Sequence, residues 1–147
     1  MKKLMLMFVV VACASSYAFG QTASGKRRVV KTGPPNGIFS PAIITGDLVY
    51  TSGQIGIDAK TGQLAEGFEA QLEQVFKNLA TVLEASGSSL EHVVKATVFL
   101  SDMNDYNTLN ELYKKQFKGD PPARTTVQVA RLPRDAKVEI EVVAVVK

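Results

Sequence analysis

Cysteine and histidine are almost absent from this chain. Its 147 residues include one Cys, Cys13, one His, His92, and no Trp. One histidine and a single N-terminal cysteine cannot assemble a His/Cys zinc site, and a lone cysteine closes no intrachain disulfide. No metal or other cofactor is expected. Charge of one sign is also missing: 17 basic residues face 14 acidic ones, a net +3. Acids and bases are interspersed, apart from Lys26-Arg27-Arg28, so there is no basic stripe of the kind that grips nucleic acid. The longest apolar run, Leu4 to Ala14, has eleven residues, which is too short to span a bilayer.

That run does have a reading of its own. Met1-Lys2-Lys3 supplies a positive start, Leu4–Ala14 an apolar core, and Ala18 and Gly20 a small-residue exit. Together they form the pattern of a signal peptide over residues 1–20. Cleavage after Gly20 leaves Gln21 first, removes the cysteine, and reduces the charge to 15 basic against 14 acidic, or +1. An exported protein, periplasmic or secreted, is expected. The alternative is a lipobox, Val10-Val11-Ala12-Cys13, which would anchor the chain through Cys13 as a lipoprotein.

Residues 21–31 are polar and read as a flexible lead-in, and residues 32–147 are long enough for one domain with one core. Turn chemistry fills 32–37. Ile38–Ile44 and Leu48–Ser52 flank Gly46-Asp47 and predict a hairpin. Phe68, Leu72, Val75, Phe76, Leu79, Val82 and Leu83 repeat at helical spacing and predict a helix from Gly67 to Ala85, capped by Gly87. Val93–Leu100 is apolar enough for a central strand. Ser101 or Asp102 can cap a second helix over 103–117, with Tyr106, Leu109, Tyr113 and Phe117 buried and Asn110 at the edge of that face. Lys137–Val146 closes the domain as a strand with Glu139 and Glu141 opposite its apolar face. His92, between helix and strand, lacks any Ser or Cys nucleophile framework and reads as a surface or packing residue.

The order β-β-α-β-α-β-β predicts an α+β fold with both helices on one face of a sheet. Val93–Leu100 and Val142–Val146 are apolar on both sides, so the other face also needs cover, and self-association is the economical way to supply it.

Chemistry concentrates in Pro121-Pro122-Ala123-Arg124-Thr125-Thr126. Two prolines fix a rigid entry, and Thr125–Ala130 has the β-branched content of a strand. Arg124 thus stands where loop becomes strand, suited to grip a carboxylate with two parallel hydrogen bonds. A surface salt bridge is its plainer alternative.

Ser52-Gly53-Gln54, Val94-Lys95-Ala96-Thr97-Val98, Asp105-Tyr106-Asn107, Pro122-Ala123-Arg124, Val129-Ala130-Arg131-Leu132-Pro133 and Glu139-Ile140-Glu141 occur in order. With them the chain, over about residues 32 to 146, resembles the RidA family (YjgF, reactive-intermediate deaminases). The resemblance implies a chorismate-mutase-like α+β fold, a homotrimer with clefts at its subunit interfaces, and hydrolysis of 2-imino acids such as 2-iminobutanoate and 2-iminopropanoate to 2-keto acids and ammonia. By the same resemblance Arg124 binds the substrate carboxylate, Glu139 activates water, and Phe39, Ser52, Gly53, Asn110 and Thr126 line the cleft. Two positions depart from the family pattern. Phe39 stands where the family usually has Tyr, and Thr126 where it often has Cys. Three other readings compete: a non-catalytic trimer that binds small carboxylates through Arg124, an endoribonuclease, and a holdase.

Overall fold

A computed structural model describes residues 26–32 and 37–147. The signal-peptide and lipobox readings, and most of the turn at 32–37, lie outside those residues. Nine elements follow the order β1 (Arg28–Val30), β2 (Ala42–Thr45), β3 (Leu48–Thr51), β4 (Gln54–Ile55), α1 (Phe68–Ala85), β5 (Val93–Leu100), α2 (Tyr106–Lys114), β6 (Ala123–Gln128) and β7 (Val138–Val145). They build one sheet in the order β1-β2-β3-β7-β5-β6, with β4 also paired to β7. The β5–β6 pair is parallel and the other pairs are antiparallel. Among the described residues no helix is long and apolar enough to cross a membrane.

The long helix forms where its apolar stripe predicts. Leu72, Val75, Leu79 and Leu83 are essentially inaccessible and share a core with Ala96, Val98, Ile140 and Ala144 of the sheet. Gly87 ends it at φ +75°. Its N–H bonds the Glu84 carbonyl, and that of Ser88 bonds Leu83: a paired C-terminal cap that needs the left-handed backbone glycine permits. Tyr113 and Leu109 of α2 join the same core, so both helices cover one face of the sheet. Asp102 caps the entry to α2 by accepting from the Asn104 N–H at 2.9 Å.

Three expectations need correction. The lead-in 21–31 contains β1: Val29 and Val30 are β-branched, pair with Ile43 and Ala42, and bury Val30. Ile38–Pro41 is not strand, because Pro41 has no N–H to give a ladder; its carbonyl instead accepts from the Ser52 N–H at 2.9 Å. The second helix stops at Lys114 rather than Phe117. Lys115 and Gln116 bond the carbonyls three residues back, the tightened turn that closes a helix. The hairpin itself stands, with Gly46-Asp47 as its two-residue loop and Gly46 at φ +56°.

Strand alternation gives the sheet two faces. Val138, Ile140, Val142 and Ala144 of β7 point at the helices and are buried. The opposite face carries Val29, Tyr50 and Val127, each about 40% exposed, the uncovered apolar surface that the strand composition predicts.

Candidate active site

Arg124 is placed by the parallel β5–β6 pair. It aligns with Ala96, which aligns in turn with Val142, so its side chain rises from the helix-covered face. There α2 meets it. Tyr106, Asn110 and Tyr113 lie four and three residues apart along one side of the helix. Asn110 Oδ1 accepts from Arg124 Nη2 at 2.5 Å. The guanidinium carbon stands 4.6 Å from the centre of the Tyr113 ring and 5.7 Å from that of Tyr106. No carboxylate reaches it; the ion pair among the described residues is Arg131–Asp135. The plainer reading of Arg124 as half of a surface salt bridge is therefore wrong. Around it is a cavity of about 360 Å³, walled in part by Phe117, Pro121 and Pro122. Thr126 follows on the same face, and its buried hydroxyl has no partner among the described residues.

Glu139 belongs to the other face. It aligns with Phe99, which aligns with Val127. It borders a second cavity, of about 560 Å³, together with Phe39, Ser52, Gly53 and Pro133. No hydrogen bond holds its carboxylate among the described residues. Burial, and secondarily the neighbouring Glu141 charge, push Glu139 above the usual carboxylate range. A carboxylate so raised is a better base than an ordinary glutamate. Glu141→Gln removes the smaller of the two causes. If Glu139 acts as a general base, the acid limb of the rate–pH profile is expected to move to lower pH in that variant. An unmoved limb would detach Glu139 from the profile.

The chain around Glu139 is built for close approach. Ser52 donates its hydroxyl to the Ser40 carbonyl at 2.7 Å, tying the Phe39 loop to the end of β3; the sequence places Ser52 in the cleft, and its proton is committed to that tie. Phe39 is 58% exposed, so its ring forms an open rim. A Cβ added to Gly53 would stand 2.7 Å from Glu139 Cδ and closer still to Oε1. Gly53 sits at an ordinary φ, so alanine is allowed by the backbone, and the nearest atoms it would meet are those of the glutamate. Gly53→Ala is therefore expected to fold and displace the carboxylate; if Glu139 acts as a base, kcat should fall by about 100-fold, as ångström-scale misplacement does. A melting temperature near the parent's with kcat unchanged would show that Glu139's position is not critical. Pro133 reaches the cavity on a turn in which Arg134 and Asp135 both take left-handed φ, 59° and 57°. Non-glycine residues hold that conformation at a cost, here offset by the two-point Arg131–Asp135 pair and the bond from Arg134 Nη1 to the Gly62 carbonyl.

The residues proposed from sequence thus divide into two groups. Arg124, Asn110 and Thr126 share one face, and Phe39, Ser52, Gly53 and Glu139 border a cavity whose lining has no residue in common with the first. Within one chain Arg124 and Glu139 do not share a cavity. His92 joins neither group; its Nδ1 pairs with the Ser89 hydroxyl at 2.8 Å. Tyr106 and Tyr113 were legible only as a buried stripe, and their spacing from Asn110 was the available signal. Among the described residues no cluster of His, Cys, Asp or Glu is arranged to hold a metal.

Comparison with known proteins gives a consistent set. The family profile described as Endoribonuclease L-PSP matches residues 30–146. The human 2-iminobutanoate/2-iminopropanoate deaminase is 45% identical over 123 residues, 81% of this chain and 90% of its own. A RutC family protein of Aquifex aeolicus is 45% identical over 113 residues, 76% of this chain and 90% of its own. The crystal structure of RidA from an Antarctic Psychrobacter has a TM-score of 0.77 at 43% identity, covering 81% of this chain and 99% of that one. Escherichia coli TdcF with bound serine has a TM-score of 0.76 at 35% identity, covering 82% and 99%.

Proposed function

Since the chain belongs to the RidA (YjgF) family, we propose that it hydrolyses 2-imino acids, such as 2-iminobutanoate and 2-iminopropanoate, to 2-keto acids and ammonia, in sites shared between copies of itself. One observation carries this reading: a cation free of carboxylate partners on one face of the sheet, and a raised, unbonded carboxylate on the other. Each is half of what an imino acid requires. A homotrimer, packed through the apolar face of Val29, Tyr50 and Val127, brings the Arg124 half of one copy to the Glu139 half of the next. A head-to-tail contact of that kind forms a ring of three when each copy is rotated by a third of a turn from the last.

The chemistry follows from the residues. Arg124 takes the substrate carboxylate in its fork and fixes the orientation of C2. Glu139 accepts a proton from water as the water oxygen bonds to C2 and the C=N π electrons move to nitrogen. Glu139 then returns that proton to the nitrogen of the resulting amino alcohol, the C–N bond breaks with its electron pair leaving on ammonia, and the hydroxyl proton passes to that ammonia as the ketone forms. The iminium carbon is already electrophilic, so one base suffices. Phe39 contributes a ring to the rim but no phenol to hydrogen-bond water or substrate.

We also propose that the protein acts outside the cytoplasm, after loss of residues 1–20. The basic, apolar and small-residue order of that segment supports this, as does its position ahead of the family match at residue 30. Release of 2-ketobutanoate from freshly generated 2-iminobutanoate by residues 21–147 tests the activity. Acceleration over the uncatalysed rate is expected. Its absence, with Arg124-dependent binding of 2-ketobutanoate intact, would favour the second reading, a carboxylate-binding trimer, which the missing phenol at position 39 supports. RNA cleavage is the weakest reading, because the mixed charge offers no basic track for phosphates.

A further inference from the structure

We propose that Tyr113 is a positioning residue for Arg124: its ring face takes the place of an acidic counter-ion, orienting the guanidinium while leaving its fork open for a substrate carboxylate. The inference rests on the reading of Arg124 as the carboxylate clamp and adds to it how the clamp is held.

A half-buried arginine is usually steadied by a carboxylate, and a carboxylate would occupy the donors the substrate needs. Among the described residues only Asn110 accepts from the guanidinium, through Nη2. Of the five N–H donors one is engaged, and the rest remain available. The remaining stabilisation comes from below. The Tyr113 ring lies 4.6 Å from Cζ, within the range in which the negative face of an aromatic attracts a cation and consumes no hydrogen-bond donor.

That ring cannot drift. Phe117 packs on it at 4.9 Å between centres and Phe76 at 5.6 Å with an interplanar angle of 67°; Phe76 and Phe117 meet each other at 6.1 Å. Tyr113 is 5% exposed, and α2 sets it one turn beyond Asn110, so the helix delivers the ring and the amide to the arginine together. The phenol oxygen does not share in this. It is buried without a partner among the described residues, and burial pushes it up to about 12, with the Arg124 charge pulling partly against that shift. The ring, not the hydroxyl, carries the role. Tyr106, at 5.7 Å and more exposed, makes the weaker of the two ring contacts.

The test is calorimetric titration of residues 21–147 with 2-ketobutanoate and with its uncharged methyl ester, beside kinetics on 2-iminobutanoate. Tyr113→Leu should raise the keto-acid Kd and KM by about 5- to 30-fold, with kcat little changed and ester binding untouched. Tyr113→Phe should bind as the parent does. Should the leucine variant fail to fold, Tyr113→pentafluorophenylalanine keeps the ring's shape, reverses its electrostatics, and should weaken acid binding alone. Several results would overturn the proposal: acid binding unaffected in the leucine or fluorinated variant, equal loss in Tyr113→Phe, or equal loss for acid and ester. If the parent binds 2-ketobutanoate no better than Arg124→Ala, the clamp reading fails and takes this proposal with it. Arg124-dependent binding that ignores the ring at 113 sinks the proposal alone.

Discussion

Glu139→Gln is expected to lower kcat for 2-iminobutanoate hydrolysis by about 10²- to 10⁴-fold, the range that a positioned general base contributes. The amide matches the carboxylate in shape, and Glu139 has no hydrogen bond to lose among the described residues. The fold and the melting temperature should therefore stay as they are. Removing a negative charge also removes repulsion toward an anionic product, so 2-ketobutanoate should bind as well as in the parent or slightly better. The combination is diagnostic: a collapsed kcat with intact binding places Glu139 in the chemical step. A Gln variant that turns over at the parent rate would mean that water attacks without it, or that another base serves.

Arg124→Ala is the second large effect, and its signature is the reverse. Two charge-assisted hydrogen bonds to the carboxylate disappear, each worth roughly 1.5–3 kcal/mol. A fall of about 10²- to 10⁴-fold in kcat/KM is expected, with loss of 2-ketobutanoate binding measured without catalysis. Arg124→Lys should recover little, because a point charge replaces a planar fork. Among the described residues no acid touches Arg124, so no ion pair is broken there, and truncation relieves rather than leaves a buried charge. Stability should suffer the loss of the Asn110 hydrogen bond and the Tyr113 contact, each on the order of 1 kcal/mol. Parent-like kcat/KM in this variant would remove the carboxylate from the recognition scheme.

Much of this arrangement is legible in the residues themselves. The helix 68–85 and the strand 93–100 follow from period and composition, because nothing in their surroundings competes with those signals. β1 was hidden by Lys26-Arg27-Arg28: three charges at the head of a segment mask two valines that gain a partner only once Ile43 is in place. β4 has two residues, too few for any periodicity. The site divides the same way. That Glu139 faces away from the helices can be read from Val138, Ile140, Val142 and Ala144. Arg124's face cannot, because Arg124, Thr126 and Gln128 are no more apolar than Thr125 and Val127; pairing with β5 decides it. The family resemblance puts Arg124 and Glu139 in one site, while their separation onto opposite faces of the sheet emerges only from the strand pairing. The same limit applies to Tyr113, whose buried position is plain from the stripe but whose contact with the arginine needs β6 in register.

The central claim is that a complete site takes Arg124 from one copy and Glu139 from another. Mixing the two inactive variants tests it. Arg124→Ala and Glu139→Gln chains, denatured together and refolded at equal amounts, should regain activity toward 2-iminobutanoate, with about a quarter of the shared sites carrying both native residues in a ring of randomly mixed copies. Each variant refolded alone should stay inactive. If the mixture is as inactive as its parts while size measurements show that the copies have exchanged, the two residues do not act across an interface, and the account is wrong.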